Sequence, residues 1–281
     1  YAFFAAEARA STSYGEHPSA DWRLISVAPE GGRLALRVGA PDGAEHEAGL
    51  PMVGGYNAWN AVAALAAAAH EGMAVADAAA RLATFPGVPG RMQIVQAEPF
   101  AVIVDFAHTA PALAKALDAA TPAGGRRIVV VGAAGERDPA KRAPLGAAAT
   151  SAADLAIFTE EDARSEDPEA ILQQLADGAL AAGGQEGVSF ERIADRRDAI
   201  REAVRRARPG DVVLLAGKGH EATLERADGK RPWNEVEEAR TALAALPARP
   251  DAAGDRTDSG TDSGTDSGTD TGIDTGIDTD A

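Results

Sequence analysis

The sequence predicts an α/β fold whose larger part is a Rossmann-like parallel sheet. Five apolar runs, Ala101–Val104, Ile128–Val131, Leu155–Phe158, Val188–Ile193 and Val212–Leu215, alternate with helical patterns at about 111–120, 140–152, 168–181, 196–207 and 235–245. Such alternation argues for parallel strands joined by helices that cover both faces. The residues after the runs carry chemistry: Asp105 and His108 follow the first, Arg137 and Asp138 the second. In an open parallel sheet, ligands bind in the loops at the carboxyl ends of the strands.

Taken in order, the chain opens on an apolar stretch, Tyr1–Ala10, with no cap or turn before it, as if entered mid-domain. Thr12-Ser13-Tyr14-Gly15 reads as a turn, and Trp22–Val27 and Arg33–Val38 read as a hairpin closed by Pro29-Glu30-Gly31-Gly32. Asn57 or a neighbour opens an Ala-rich helix to about Ala69, which Gly72 ends, and a shorter helix covers Val75–Ala83. The Pro/Gly cluster from Phe85 to Gly90 is the best internal boundary. Beyond it, Pro111 starts a helix after the polar loop Phe106–Thr109, and the run ending at Val131 leads into the Gly-rich loop Gly132–Gly135. After Pro250 a Thr-Asp-Ser-Gly repeat has almost nothing apolar to bury, which predicts a disordered, solvated acidic tail over 248–281.

Composition narrows the function. Hydrophobic residues make up 45% of the chain, enough for a real core, and there is no cysteine, which excludes disulfides and thiolate metal sites. The longest apolar run, Ala61–Ala69, is far short of a membrane span. A cytoplasmic protein without membrane contacts is expected. The net charge of −16 argues against nucleic acid as a partner. Lysine occurs only at 115, 141, 218 and 230, and the excess of carboxylates resembles proteins from organisms that hold molar salt internally.

Five stretches in order carry a family resemblance: Gly54-Gly55-Tyr56-Asn57-Ala58-Trp59-Asn60-Ala61; Val88-Pro89-Gly90-Arg91-Met92; Val104-Asp105-Phe106-Ala107-His108-Thr109; Gly135-Glu136-Arg137-Asp138 with Lys141–Pro144; and Ala216-Gly217-Lys218-Gly219-His220-Glu221. Over about residues 10–245 the chain resembles the Mur ligases, closest to their UDP-N-acetylmuramoyl-tripeptide synthetase branch. The resemblance implies an ATP-dependent ligase that joins an amino acid to a nucleotide-linked acid through an acyl phosphate, in cell-wall precursor synthesis. It also implies a domain order: residues 1–87 as the end of a P-loop-type central ATPase domain, and 88–247 as the C-terminal, amino-acid-binding domain.

The resemblance assigns roles residue by residue. Asn57 corresponds to an Asn facing adenine, although a helix N-cap would equally suit an Asn. Arg91 and Asp105 correspond to a pair reaching ATP, the bland alternative being a salt bridge between them. His108 is the catalytic candidate. Arg137, Glu161, Asp162, Arg164, Gly217 and Glu221 correspond to the positions that hold the incoming amino acid, with an exposed acidic loop as the alternative for 161–164. Branch members that add meso-diaminopimelate usually read Asp-Asn-Pro-Arg there, the Arg holding the distal carboxylate; here only Arg164 remains of that pattern.

Gly217-Lys218 lacks the glycine five residues upstream that a phosphate loop requires, and no Walker-type loop occurs in the chain. ATP and Mg2+ are the implied cofactors, with the metal ligands expected upstream of Tyr1, and no ATP turnover is expected from this chain alone. Several family members also carry a carbamylated lysine just before the stretch Trp22–Val27, where this chain has none. The competing readings are a related ligase with a non-murein substrate, folylpolyglutamate-like or archaeal, and a non-catalytic binding remnant.

Overall fold

The computed structural model describes residues 11–30 and 32–247; the opening stretch and the acidic repeat predicted above lie outside them. Alternation dictates the first sheet. Strands β1 (Tyr14–Gly15), β2 (Trp22–Glu30), β3 (Arg33–Gly39) and β4 (Glu45–Leu50) pair in that order, with β1 parallel to β2 and the remainder antiparallel. Leu34, Leu36 and Val38 point to one face of β3, as a period of two requires, and pack with Trp22, Leu24 and Leu50. Helix α1 (Tyr56–His70) closes this core through Ala58, Ala61, Val62 and Leu65, and α2 (Val75–Ala83) adds Ala78 and Ala79. The small alanines let α1 approach closely. Strand β4, Glu-His-Glu in its first half, was too polar to read as a strand.

The second sheet has six strands: β5 (Gln93–Gln96), β6 (Ala101–Asp105), β7 (Arg127–Val131), β8 (Leu155–Phe158), β9 (Phe190–Arg192) and β10 (Val212–Ala216), in spatial order β5-β6-β10-β7-β8-β9. Strands β6 to β10 are mutually parallel, as the alternation predicted. The short, polar-flanked β5 is an unexpected antiparallel edge. The run predicted as a strand over Val188–Ile193 shortens to β9, and exposed Val188 belongs to the preceding loop.

Helices α3 (Ala110–Ala119), α4 (Arg142–Ala152) and α5 (Pro168–Ala181) bury Leu113, Leu117, Leu145 and Leu175 against one face of this sheet. On the other face, α6 (Arg196–Arg206) and α7 (Glu235–Ala244) bury Ile200, Val204 and Ala239. Each fully buried Val, Leu or Ile contributes about 1.5–3 kcal/mol relative to exposure. The helix starts follow side-chain chemistry. Asp167 accepts from Glu169 N–H before Pro168 opens α5, and Asn234 accepts from Val236 and Glu237 N–H at the start of α7. Helix α4 begins later than predicted because Asp138 caps a single 3-10 turn, Pro139–Lys141, ahead of it. A hairpin of β11 (Thr223–Arg226) and β12 (Gly229–Pro232) was not anticipated, although Asp228-Gly229 at its turn is a hairpin signal.

Candidate functional site

Because β10 inserts between β6 and β7, the loops after all three open side by side at one edge of the sheet. Asp105, the last residue of β6, pairs in register with Ala216, the last of β10, and Gly217 N–H donates to the Asp105 carbonyl at 3.1 Å. The Asp105 carboxylate is buried and organises its own turn. Its Oδ1 accepts from Ala107 N–H and its Oδ2 from Met92 N–H, each at 2.8 Å.

Arg91 does not bridge to Asp105. Its guanidinium lies 4.6 Å from the ring centroid of Phe106, a cation–π contact. The rings of His108 and His220 stand 4.8 and 5.2 Å from that same ring. His108 Nδ1 donates to the Phe106 carbonyl at 2.9 Å. A carbonyl oxygen only accepts, so Nδ1 carries a proton, and Nε2 is the ring nitrogen left outside this bond.

Asn57 is not the N-cap of α1. Gly55 holds that place, and Asn57 is buried in the first turn, donating from Nδ2 to the Val53 carbonyl at 2.8 Å and accepting from Asn60 Nδ2 at 3.1 Å. A cleft of about 780 Å³ brings Asn57, Arg91, Asp105 and His108 together, with Tyr56 and Lys115 also on its wall. Burial pushes the Tyr56 phenol up to about 12; Asp105 adds to the rise and Arg91 opposes it.

The second group lies after β8. Glu160, Glu161 and Asp162 are buried, which corrects the alternative of an exposed acidic loop. Burial is possible because cations are delivered from far along the chain. Glu160 accepts from Arg226 Nε at 2.7 Å. Lys218, itself fully buried, places Nζ 2.8 Å from Asp162 Oδ1 and 2.7 Å from Glu221 Oε2. Glu161 Oε2 has no hydrogen-bond partner. Burial raises the Glu161 carboxyl above its ordinary range, Arg196, Lys218 and Lys141 oppose the rise, and Glu221 adds to it.

Gly217 packs against this carboxyl at φ +104°, where a Cβ would sit 2.8 Å from Glu161 Oε2, so the position admits only glycine. Arg164 donates to the Gly135 carbonyl and pairs with Glu225 at 3.4 Å and Asp162 at 3.9 Å. Arg137 stands exposed, and among the described residues no hydrogen bond or ion pair ties it to this group. Beneath both regions a buried ion pair, Arg196–Glu235 at 2.6 Å, anchors the end of β10 through a 2.7 Å hydrogen bond from Arg196 to the Ala216 carbonyl.

The family model of the Mur ligase glutamate ligase domain matches residues 90–219. Through that segment the chain belongs to the Mur ligase family. Within 238 aligned residues it is 50% identical to a UDP-N-acetylmuramyl-tripeptide synthetase of Deinococcus radiodurans, covering 83% of this chain and 48% of that protein. A UDP-N-acetylmuramoyl-L-alanyl-D-glutamate–2,6-diaminopimelate ligase of Streptomyces coelicolor is 40% identical over 81% of this chain and 45% of its own length. A solved structure of a ligase with that same name superposes with a TM-score of 0.58 at 30% identity, over 83% of this chain and 47% of the other. The chain thus spans about half the length of the curated relatives it matches.

In this Mur ligase segment and the helix before it, the structure brings the residues singled out from the sequence into two groups. Asn57, Arg91, Asp105 and His108 share one cleft. Glu161, Asp162, Arg164, Gly217 and Glu221 share one cluster of contacts, and Arg137 is left outside it. Sequence reasoning passed over Phe106, Lys218 and Glu225. A lone lysine between two glycines announces no partner, and Glu225 becomes meaningful only once the β11–β12 hairpin is seen.

Proposed function

We propose that this chain supplies the nucleotide-facing and amino-acid-binding part of an ATP-dependent acid–amino acid ligase. In this reading the enzyme adds an amino acid to a UDP-N-acetylmuramoyl-dipeptide-like acceptor in cell-wall precursor synthesis. Residues 1–87 correspond to the end of the central ATP-binding domain and 88–247 to the amino-acid-binding domain. The observation that carries the proposal is the one cleft lined by Asn57, Arg91, Asp105 and His108, joined to the acidic cluster by the segment Gly217–Glu221.

The cleft suits an adenine nucleotide. Its volume lies in the range of cofactor sites. Asn57 uses one of its two amide N–H groups on Val53, which leaves a donor and acceptor capacity for a purine edge. The Asp105 oxygens each accept one N–H and keep lone pairs for ribose hydroxyls. Arg91, stacked on Phe106, presents its N–H groups to phosphate or ribose. His108 Nε2 is the candidate proton acceptor in the cleft. Bound ATP would supply the γ-phosphoryl group that converts the acceptor's carboxylate into an acyl phosphate, with ADP as the leaving group. Among the described residues no group of three His, Asp or Glu converges to hold a metal ion, so Mg2+ is assigned no ligand here.

In the pocket, Glu221 is the acceptor for the incoming ammonium. Glu221 shares Lys218 with Asp162, which also faces Arg164 at 3.9 Å, and at 36% exposed it is the carboxylate of this cluster most open to a cationic group. Holding the amine next to the nucleotide cleft lowers the entropic cost of its attack. Meso-diaminopimelate is the amino acid suggested by Arg164.

Calorimetric titration of the purified chain in molar KCl with ADP, and separately with meso-diaminopimelate, lysine and glutamate, tests the reading. ADP binding lost in Asn57→Ala, and amino-acid binding lost in Glu221→Ala, is the expected result. Absence of heat with ADP and with all three amino acids overturns it.

A further inference from the structure

The Arg164 guanidinium is already spoken for. Its Nε lies 3.4 Å from Glu225 Oε2, its Nη2 is 3.9 Å from Asp162 Oδ2, and its remaining terminal nitrogen donates to the Gly135 carbonyl. Both side chains are partly exposed, Arg164 18% and Glu225 28%, so the pair is accessible to a ligand without unfolding anything.

Three contacts hold Glu225 at this place. Its backbone N–H donates to Asp162 Oδ1 at 2.9 Å, its carbonyl accepts from Arg164 N–H at 3.1 Å, and its Oε2 lies 3.7 Å from Lys230 Nζ across the β11–β12 hairpin. Arg164 is fixed in turn by a left-handed backbone, φ 53°, and a bridge to Arg226. An arrangement tied down from both sides is a built contact and not a chance surface pair.

We propose that Glu225 is a specificity-determining residue that competes with the second carboxylate of a dicarboxylic amino acid for Arg164. The inference rests on the reading of this region as the amino-acid pocket. A guanidinium clamps one carboxylate well. A ligand carboxylate approaching Arg164 must either displace Glu225 or sit beside it, and like charges at contact in a partly desolvated site oppose binding strongly. Glu225 therefore lowers affinity for amino acids that carry a distal carboxylate, relative to otherwise identical ones that lack it.

Meso-diaminopimelate and lysine form such a matched pair, differing in that carboxylate alone. The experiment compares their affinities by calorimetry on the full chain for wild type, Glu225→Gln and Arg164→Ala. The Gln variant keeps shape and hydrogen bonding while removing the charge. The expected result is a shift of the diaminopimelate-to-lysine affinity ratio toward diaminopimelate of about tenfold in Glu225→Gln, and no such shift when Arg164→Ala is combined with it. A merely structural role for Glu225 would move both affinities together, so a ratio unchanged within about twofold overturns the inference and leaves the pocket standing. Failure of wild type and Glu225→Gln to bind either amino acid overturns the pocket and the inference with it.

Discussion

The Lys218 ammonium, with no exposed surface, lies 2.8 Å from the Asp162 carboxylate, 56 residues away in sequence. That pairing lets the acidic loop after β8 turn inward, and it makes Lys218 the residue on which the pocket depends. Replacing it by Met takes from Glu221 its paired cation and leaves Asp162 only the more distant Arg164, at 3.9 Å. Loss of one partner of a buried pair costs about 3–5 kcal/mol. Urea denaturation of Lys218→Met should show a loss of that order, and adding Asp162→Asn in the same chain should recover part of it.

Asp105 offers two oxygens to two backbone amides, Met92 and Ala107. Asp105→Asn keeps one acceptor and turns an NH2 toward the other N–H. A buried donor left unsatisfied costs about 1–3 kcal/mol. The midpoint of chemical denaturation should fall accordingly, and ADP affinity should drop with it, because the turn that carries Phe106 and His108 loosens.

Gly90 lies against the Gly217–Glu221 segment at φ +67°, and a Cβ there would meet His220 N at 2.2 Å. Gly90→Ala must push the two segments apart. It should destabilise the chain by about 2 kcal/mol or more and weaken both ADP and amino-acid binding. Loss of only one of the two in the titrations would show that this contact does not join the sites.

Glu161 carries a pH signature. Burial raises its carboxyl above the ordinary glutamate range against the pull of Arg196, Lys218 and Lys141, and Glu221 adds to the rise. A group whose folded-state proton affinity exceeds its unfolded one contributes stability that is complete below the unfolded value and lost as pH rises through the folded value. Wild type should therefore lose stability relative to Glu161→Gln as pH climbs above the ordinary range. Equal pH slopes for the two proteins would count against the assignment.

Glu202 behaves in the opposite sense. Hydrogen bonding to Arg205, then to Arg206, lowers its carboxyl to about 2 despite some desolvation. Its contribution is present at neutral pH and lost as pH falls toward 2. The pair is partly exposed, so the gain is screened to below about 1 kcal/mol. Thermal melts of wild type and Glu202→Gln should differ slightly at neutral pH and converge in acid.

Much of this was legible without coordinates, because local rules wrote it. The apolar runs at 101–104, 128–131, 155–158 and 212–215 became β6, β7, β8 and β10, since a strand buried on both faces must be continuously apolar. Helices α2 and α5 matched the predicted bounds because Pro, Asp and alanine-rich periodicity act within a few residues. Asp105 and His108 were found by their place at a strand end.

Strand order, by contrast, was decided by tertiary packing: nothing local says that β10 inserts between β6 and β7, the step that sets Gly217 beside Asp105. Nor does any local pattern say that Arg91 stacks on Phe106 instead of pairing with Asp105, that Glu160, Glu161 and Asp162 are buried, or that Glu225 holds Arg164. The physical reason is common to all of these. Apolar periodicity is read by the backbone next to it, whereas a charged side chain takes its partner from whichever distant strand end the sheet delivers, and only a cation brought within hydrogen-bonding distance makes burial of a carboxylate affordable.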